Sequence, residues 1–503
     1  MEWRGWNLKQ LFSEEVDVFY FFFACAALIA GYFVYGKIVE SQFGMDTCRA
    51  TPACRLEDGV DYVKMNPKTI YMIQLLNIAG LGPIFGPILG ALYGPSALVW
   101  IVLGSIFAGG VHDYFSGMMS VRYEGKSIPD AVGYNLGNFA KQFMNVFSVV
   151  LLLLVGVVFI VGPAKLLANK IGFNLDKEMA VVVWTGIIFA YYFLATILPI
   201  DKIIGRLYPL FTVCLLIMAF GLSTMLIVDG YTFFPNGVGL ANVHPKGLPI
   251  WPLMFITIAC GAISGFHATQ SPMMARCIPD EKCGRPIFYG AMIGEGIIAL
   301  VWATLGMTFY QTPEALQAAL AAGGPAAVVD QVATTLMGPI GGFLAIIGVI
   351  ILPISSGDTA FRAARLIIAD FGKVEQKSIL KRLFIAVPLF VVGFMITKTD
   401  FNVIWRYFGF SNQTLATIVL WASAMYLVRH GKLHWIATVP ATFMTAVCVT
   451  YLCVAPEFPL KLSNEIGYTI GIAAAIACFI LFMLKARNTP LAVDALDAPG
   501  IIG

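Results

Sequence analysis

The chain has 503 residues, of which 59% are hydrophobic and 12% charged, and its mean hydropathy is +0.81. Because about a quarter of the residues of a soluble domain are charged, this composition excludes an ordinary soluble protein and indicates an all-α polytopic membrane protein. The net charge of +3 gives no indication of nucleic-acid binding.

In chain order, the apolar runs predict about thirteen transmembrane helices. The first residues mix both charges and show no cleavage site after the first apolar run, so we expect no removable signal peptide. The predicted spans lie near residues 17–36, 70–93, 97–120, 143–164, 179–200, 207–228, 250–272, 286–309, 335–360, 382–397, 404–428, 434–454 and 465–485.

The loops between these spans differ in charge. Most of the 32 lysines and arginines fall in loops on one side, and the positive-inside rule assigns that side to the cytoplasm. An odd number of spans places the termini on opposite sides. We therefore expect the N-terminus outside and the C-terminus in the cytoplasm.

The second predicted span is interrupted. Residues 74–94 are apolar but contain seven helix-weakening residues, namely Gly80, Gly82, Pro83, Gly86, Pro87, Gly90 and Gly94. In lipid, a freed backbone group costs several kcal/mol unless protein or internal water satisfies it. The break predicts a binding site; the alternative is a smooth glycine face for helix packing, with proline kinks and no ligand.

The seventh predicted span carries a second interruption, at residues 261–272. It lies five spans after the first, and its helix runs in the opposite direction. Matched broken helices indicate an inverted repeat with a midplane site, where half-helix N-termini hold an anionic group. The predicted units are an N-terminal segment 1–69, repeats 70–228 and 250–428, two accessory helices in 434–485 and a cytoplasmic tail 486–503.

Polar groups inside spans are costly, so each is a functional candidate. At the end of the ninth span, Ser355, Asp358 or Thr359, and Arg362 share one helix face. Their oxygen ligands suit Na⁺, while Asp358 also suits a coupling proton. The alternative is a structural pair of Asp358 with Arg362 at the membrane edge.

Further candidates lie in other spans. The pair His112-Asp113 ends the third span and is either a proton relay or a pair of Asp113 with Arg122. His267 lies inside the second break, and its alternative is a core histidine. Glu295 in the eighth span and Asn412-Gln413 in the eleventh complete the set, although amides in spans often only join helices.

Ten cysteines are present, and four form two pairs with equal spacing in cytoplasmic loops: Cys48 with Cys54, and Cys277 with Cys283. The proposed repeat makes these loops neighbours. Because the cytoplasm disfavours disulfides, four thiolates suggest a structural zinc or iron–sulfur centre; the alternative is four separate reduced thiols. The other six are expected to be inert apolar residues.

Several stretches resemble the carbon starvation protein A family: 77–94, 102–114, 120–128, 263–272, 355–365 and 408–416. The resemblance covers most of residues 55–430. It implies an inner-membrane secondary transporter with a leucine-transporter-like fold, which imports peptides or pyruvate when carbon is scarce. This implied fold agrees with the five-plus-five repeat indicated by the broken spans.

We therefore expect a bacterial inner-membrane importer driven by H⁺ or Na⁺, with lipid and a peptide or small carboxylate as partners and no assigned oligomeric state. The expected substrate residues are Asn77, Gly80, Gly82, Ser264, Phe266, His267, Thr269, Gln270, Asn412 and Gln413. The expected cation residues are Ser355, Ser356, Asp358, Thr359 and Asp113.

Two other classes remain open. An intramembrane enzyme would use His112-Asp113 or His267 as a base, but the chain has no zincin or Ser/Lys signature. A sensor would use the four loop cysteines to report metal or redox state, and it would need a soluble output domain.

Overall fold

Each of the thirteen predicted spans coincides with helix in the residues that the structure describes, and 198–200, at the end of the fifth, lie outside them; the spans are here numbered 1 to 13. In this computed structural model the described part of the chain contains helices and no strand, and it comprises residues 8–59, 62–197, 201–374, 376 and 378–491. Ten helices of this part are long and apolar enough to cross a membrane, or eleven when the bent pair of span 2 is counted as one. The two remaining spans are span 7, whose helices are short, and span 11, which carries polar side chains.

The first six spans and the short helices beside them come from the N-terminal half. Spans 1 to 6 comprise Leu8–Phe33 with Tyr35–Phe43, Pro67–Ile78 with Gly82–Gly90, Ser96–Gly104 with Gly110–Arg122, Asn138–Lys170, Lys177–Ile197, and Asp201–Val228. The short helices Pro52–Arg55 and Ile128–Leu136 lie in loops.

The remaining seven spans follow a long loop at residues 229–249. Spans 7 to 13 comprise Ile250–Thr257 with Gly265–Ala275, Gly290–Phe309, Pro313–Ile346 with Leu352–Phe371, Ile379–Ile396, Phe401–Arg429, Trp435–Val454, and Asn464–Arg487.

Span 2 is broken where the sequence predicts it. Its two halves are bent by 47°. Asn66 begins the first half, since its side chain accepts a hydrogen bond from the Lys68 N–H. Pro83 lies in the first turn of the second half, where its missing N–H costs nothing because no intrahelical partner exists there. The sequence thus ends one helix and begins another inside a single span.

Span 7 is broken by an unwound segment, residues 258–264, and the two breaks face each other. Gly261 has φ +89°, a conformation that favours glycine. A Cβ placed on Gly82 would lie 2.3 Å from the Cβ of Cys260, and one on Gly86 would lie 3.1 Å from the carbonyl oxygen of Thr257. Only glycine allows the spans to approach this closely.

Three π-helical turns lie next to polar segments. They are Ser105–Gly109 in span 3, Arg285–Tyr289 before span 8, and Ile347–Ile351 in span 9. Such turns rotate the residues that follow and occur frequently at functional sites. The first of them precedes His112 and Asp113.

Span 9 is longer than predicted, since its helix begins at Pro313 rather than near residue 335. The additional segment is rich in alanine and leucine, which favour helix, and Thr312 begins it by accepting the Ala315 N–H. Positive φ values at Gly324 and Gly338 introduce kinks. Hydropathy missed this segment because alanine is only weakly apolar.

Candidate functional site

Side chains of spans 3 and 11 donate to two carbonyls of the unwound segment of span 7 and to one near the end of its first helix. Trp100 Nε1 donates to the Ile258 carbonyl at 3.3 Å, and Ser105 Oγ donates to the Gly261 carbonyl at 2.9 Å. Gln413 Nε2 donates to the Phe255 carbonyl at 3.2 Å. Because protein groups replace the lost helical bonds, the break is a stable feature of the fold.

Asn412 of span 11 binds the beginning of the second half of span 7. Its Oδ1 accepts the Phe266 N–H at 2.7 Å, and its Nδ2 donates to Ser264 Oγ at 3.0 Å and Cys260 Sγ at 3.4 Å. Asn412 therefore holds the break together. It also occupies the Phe266 N–H, one of the half-helix N-terminal groups expected to bind a substrate anion.

Four fully buried ionisable side chains form a chain across spans 3, 7 and 8. Asp113 accepts from both histidines, with 2.7 Å from Oδ1 to His112 Nδ1 and 2.8 Å from Oδ2 to His267 Nδ1. The other ring nitrogen of His267, Nε2, lies 3.2 Å from Glu295 Oε2. Asp113 and Glu295 thus flank one imidazole on its two sides.

The net charge of these four side chains depends on how many protons they hold. With both carboxylates ionised and both imidazoles neutral, the four side chains together would carry two negative charges. Uncompensated charge in a low-dielectric interior costs several kcal/mol, so neutrality requires two additional protons. The arrangement therefore suits proton binding, and releasing a proton leaves a charge that some other change must offset.

Among the described residues, Cys260, His267 and Glu295 are also the group whose potential metal-ligand atoms lie within 4.8 Å of one another. Cys260 Sγ already contacts Ser264 Oγ at 3.3 Å as well as Asn412. Because a transition metal takes Cys, His and Glu ligands, metal content is a relevant measurement for this site.

Several buried polar atoms near the breaks lack a hydrogen-bond partner in the described part of the chain. They include both amide atoms of Gln74, Nε2 of His112 and Oε1 of Gln270. Gln74 belongs to the first half of span 2, which packs against the second half of span 7. Buried polar groups are normally satisfied, so a further hydrogen-bond partner is expected at these atoms.

The other expected substrate residues lie around the same breaks. Asn77 is buried, and a Cβ on Gly80 would lie 2.9 Å from the ring of Phe159. Thr269 Oγ1 donates to the Phe266 carbonyl and accepts from Gln270 Nε2. The structure thus brings residues of spans 2, 7 and 11 together.

The expected cation residues of span 9 have different surroundings. Asp358 Oδ2 lies 3.1 Å from Arg362 Nη2, and Thr359 Oγ1 donates to the Ser356 carbonyl at 2.8 Å. The side chain of Ser355 lies outside the described part of the chain. Asp113, expected to share their cation role, instead bonds to the histidines of spans 3 and 7.

The two cysteine-bearing loops meet, but a four-cysteine cluster does not form among the described residues. Cys54 Sγ contacts the Pro279 carbonyl at 3.4 Å, and Met65 N donates to the Cys277 carbonyl at 3.2 Å. Cys48 is exposed whereas Cys283 is buried. The proposed repeat indicated neighbouring loops, but the sulfur atoms lie in different surroundings.

Two residues of the site were missed in the sequence. Cys260 was expected to be an inert apolar residue, yet it contacts Ser264 and Asn412. Gln74 was not selected, although it is a fully buried amide four residues before the end of the first half of span 2. The available signal was position: both polar side chains lie close to a helix interruption.

A model of the family described as "Carbon starvation protein CstA" matches residues 17–173, 168–334 and 303–451. An uncharacterized membrane protein of Haemophilus influenzae is 51% identical over 356 residues, which are 62% of this chain and 96% of that protein. The protein named peptide transporter CstA of Campylobacter jejuni is 25% identical over 92% of this chain and 84% of its own length. The Escherichia coli protein of that name is 23% identical over 89% of this chain and 81% of its own length.

Among solved structures, a manganese transporter mutant of Eremococcus coleocola has a TM-score of 0.51 at 14% identity, covering 84% of this chain and 95% of that one. Together with the broken spans 2 and 7, this similarity shows a leucine-transporter-like, all-helical membrane fold. The named relatives are transporters rather than enzymes. The protein is thus a multi-pass secondary transporter, and the chain belongs to the carbon starvation protein CstA family.

Proposed function

We propose that the protein is a proton-coupled importer of small carboxylate-bearing nutrients, either peptides or pyruvate, in the bacterial inner membrane. The observation that carries this proposal is the buried chain of His112, Asp113, His267 and Glu295 beside the second break. The names of the Campylobacter jejuni and Escherichia coli relatives support peptides as substrates. Pyruvate rests on the sequence resemblance.

In this proposal, substrate binds between the two breaks, where the amide of Gln74 and the Oε1 atom of Gln270 have no partner among the described residues. Alternating access rocks one helix bundle against another around this site, with repeats at 70–228 and 250–428. The charge asymmetry of the loops supports an N-terminus outside and a C-terminus in the cytoplasm. On that orientation, residues 229–249 form an outer loop.

A proton explains the geometry better than Na⁺ at the buried chain. Na⁺ prefers several oxygen ligands, whereas Asp113 and Glu295 both face nitrogen atoms of His267. When substrate adds its own negative charge, a proton taken up by the four buried side chains offsets it. The two charges then cross the membrane together.

We assign the cation residues of span 9 to a second ion-binding site, from which the ion is released to the cytoplasm. Asp358, Ser356 and Thr359 lie in one turn, and Asp358 pairs with Arg362. We expect Asp358→Ala to abolish concentrative uptake without loss of membrane insertion. Normal accumulation by an inserted Asp358→Ala protein would remove this assignment.

The test is uptake into proteoliposomes of labelled pyruvate and of a labelled dipeptide under an imposed gradient. We expect an inward proton gradient to drive accumulation, and an equal Na⁺ gradient at constant pH to drive none. Accumulation that follows Na⁺ alone would refute proton coupling. Stoichiometric transition metal in the purified protein, lost together with activity on Cys260→Ala, would assign the buried group to a metal instead.

A further inference from the structure

A cavity of about 470 Å³ lies on the outer side of the proposed site. It is bounded by the second half of span 2, the loop before span 7, and the first turns of spans 9 and 11. Its volume falls within the range of about 300–1,000 Å³ that is usual for small-molecule sites. The described lining contains Lys246, Arg406 and His244 as basic side chains, and it contains no carboxylate.

Arg406 is held at the cavity wall by groups behind it. Its Nη1 lies 3.4 Å from Glu457 Oε2, and its Nε donates to the Asn402 carbonyl at 3.3 Å. The Glu457 carboxylate is buried and also accepts from the Tyr451 hydroxyl. These contacts fix the guanidinium while 40% of the side chain stays exposed. A fixed guanidinium is well suited to bind a carboxylate.

Trp405 supplies an independent indication of a ligand. It lines the cavity, only 3% of it is exposed, and its indole N–H has no acceptor among the described residues. The ring is held by Phe85 and Phe401, each with its centroid 6.0 Å away. Because leaving a buried donor unpaired is costly, this N–H is a donor at the cavity wall that still needs an acceptor.

His244 adds a neutral donor to the same wall. Its Nδ1 accepts the backbone N–H of Lys246 at 3.1 Å, and its ring centroid lies 4.7 Å from that of Tyr93. Burial, together with the charge of Lys246, lowers the pKa of His244 below its usual value. At neutral pH the imidazole is therefore uncharged and carries its proton on Nε2, while Lys246 and Arg406 carry the positive charge.

We propose that this cavity is an outer capture site for small monocarboxylates, in which Arg406 and the Trp405 indole N–H bind the carboxylate. The organic part of the ligand lies on the apolar wall formed by Leu89, Leu92 and Leu320. This inference rests on the proposed function and names its first binding step. Trp405 also packs against Gly86 beside the breaks, 3.7 Å from where a Cβ would lie, so it separates the cavity from the central site.

The test is equilibrium binding to purified protein in nanodiscs without any gradient, by calorimetry with pyruvate, dialanine and the C-terminal amide of dialanine. We expect the two carboxylates to bind and the amide to bind at least about tenfold more weakly, since a hydrogen bond to a charged group is lost. Arg406→Gln is expected to weaken carboxylate binding by a similar factor. Lys398→Gln, which removes an exposed outer lysine away from the cavity, serves as the charge-matched control.

Arg406→Gln leaves the buried Glu457 without its cation, which destabilises the fold. A second variant that keeps this ion pair therefore tests binding separately from folding. Trp405→Phe keeps an aromatic ring but removes the N–H together with part of the indole, and we expect it to weaken carboxylate binding several-fold while Lys398→Gln binds normally. Equal affinity of Trp405→Phe, Arg406→Gln and Lys398→Gln, or equal affinity for dialanine and its amide, would overturn the capture site. Intact binding without proton-driven accumulation would instead refute the proposed function alone.

Discussion

At the scale of single residues, Asp113 has a position that its neighbours in sequence do not reveal. One carboxylate oxygen bonds to His112, the adjacent residue, and the other bonds to His267, 154 residues away. Glu295 approaches the far side of the same imidazole. The imidazole of His267 thus lies between two buried carboxylates, one beside each ring nitrogen, and the charge of the whole group changes when either carboxylate is lost.

This arrangement predicts the effect of Asp113→Asn. The amide has the same shape but removes one buried negative charge, so the proton is no longer required in each cycle. We expect loss of proton-driven accumulation, while exchange of labelled for unlabelled substrate across the membrane persists. Both quantities are measured in the same proteoliposomes.

The control for that prediction is Asp370→Asn, which removes an exposed carboxylate near the end of span 9. We expect it to leave both accumulation and exchange unchanged. If Asp113→Asn accumulated substrate as the wild type does, Asp113 would have no part in coupling.

The sequence located Asp113, His267 and Glu295 as candidates because ionisable groups inside apolar spans are rare. It did not reveal that they touch, since their spans are distant in the chain and only the fold brings them together. Trp405 and Arg406 were not selected at all. A tryptophan and an arginine at the beginning of a span are common near a membrane surface, and only the cavity distinguishes them.

At the scale of helices, the break of span 7 depends on close approach to span 11. A Cβ on Gly265 would lie 2.5 Å from the Asn412 carbonyl oxygen and 2.8 Å from the Ala416 nitrogen. Both atoms are backbone, so they cannot move aside as a flexible side chain does. The glycine therefore sets the distance at which Asn412 binds the broken helix.

We expect Gly265→Ala to destabilise the protein by about 1–3 kcal/mol, because overpacking forces the two helices apart. It should also abolish transport, since Asn412 would lose its contacts with Ser264 and Phe266. Thermal unfolding of the purified protein measures the first effect, and uptake measures the second.

Gly186→Ala is the matched control, because Gly186 lies in span 5 with nothing within 4 Å of an added Cβ. Alanine in a helix is favoured over glycine by about 0.5–1 kcal/mol, so stability should be unchanged or slightly higher. A Gly265→Ala protein as stable and active as Gly186→Ala would contradict the close-packing account.

Both breaks were readable from the sequence because glycine and proline weaken a helix, and here they cluster at one point of an otherwise apolar run. The extent of span 9 was not readable from the sequence, because hydropathy underestimates an alanine-rich helix that begins with Thr312 and Pro313. The four cysteines show the same limit. The proposed repeat indicated neighbouring loops and the equal spacing suggested a shared metal site, but sulfur positions depend on side-chain directions that neither contains.

At the scale of the whole molecule, the proposed orientation places the loop containing Cys48 in the cytoplasm. Cys48 is exposed, so a membrane-impermeant maleimide should label it in inside-out vesicles and leave it unlabelled in right-side-out vesicles. Cys48→Ser identifies any labelling of the other cysteines.

A second variant checks the opposite side of the membrane. Lys398→Cys in the Cys48→Ser background places a thiol in the loop between spans 10 and 11, and it should be labelled only from outside. Labelling of Cys48 from outside would show that the orientation in the membrane is opposite to the proposed one. The cavity proposed for substrate capture would then face the cytoplasm.

The measurement that tests proton coupling most directly is proton movement driven by substrate alone. Proteoliposomes in weakly buffered medium, with a pH-sensitive dye trapped inside, receive substrate on the outside without any imposed ion gradient. Coupled import predicts acidification of the interior with wild-type protein and none with Asp113→Asn. Substrate entry at the wild-type rate with no change in internal pH would contradict the account.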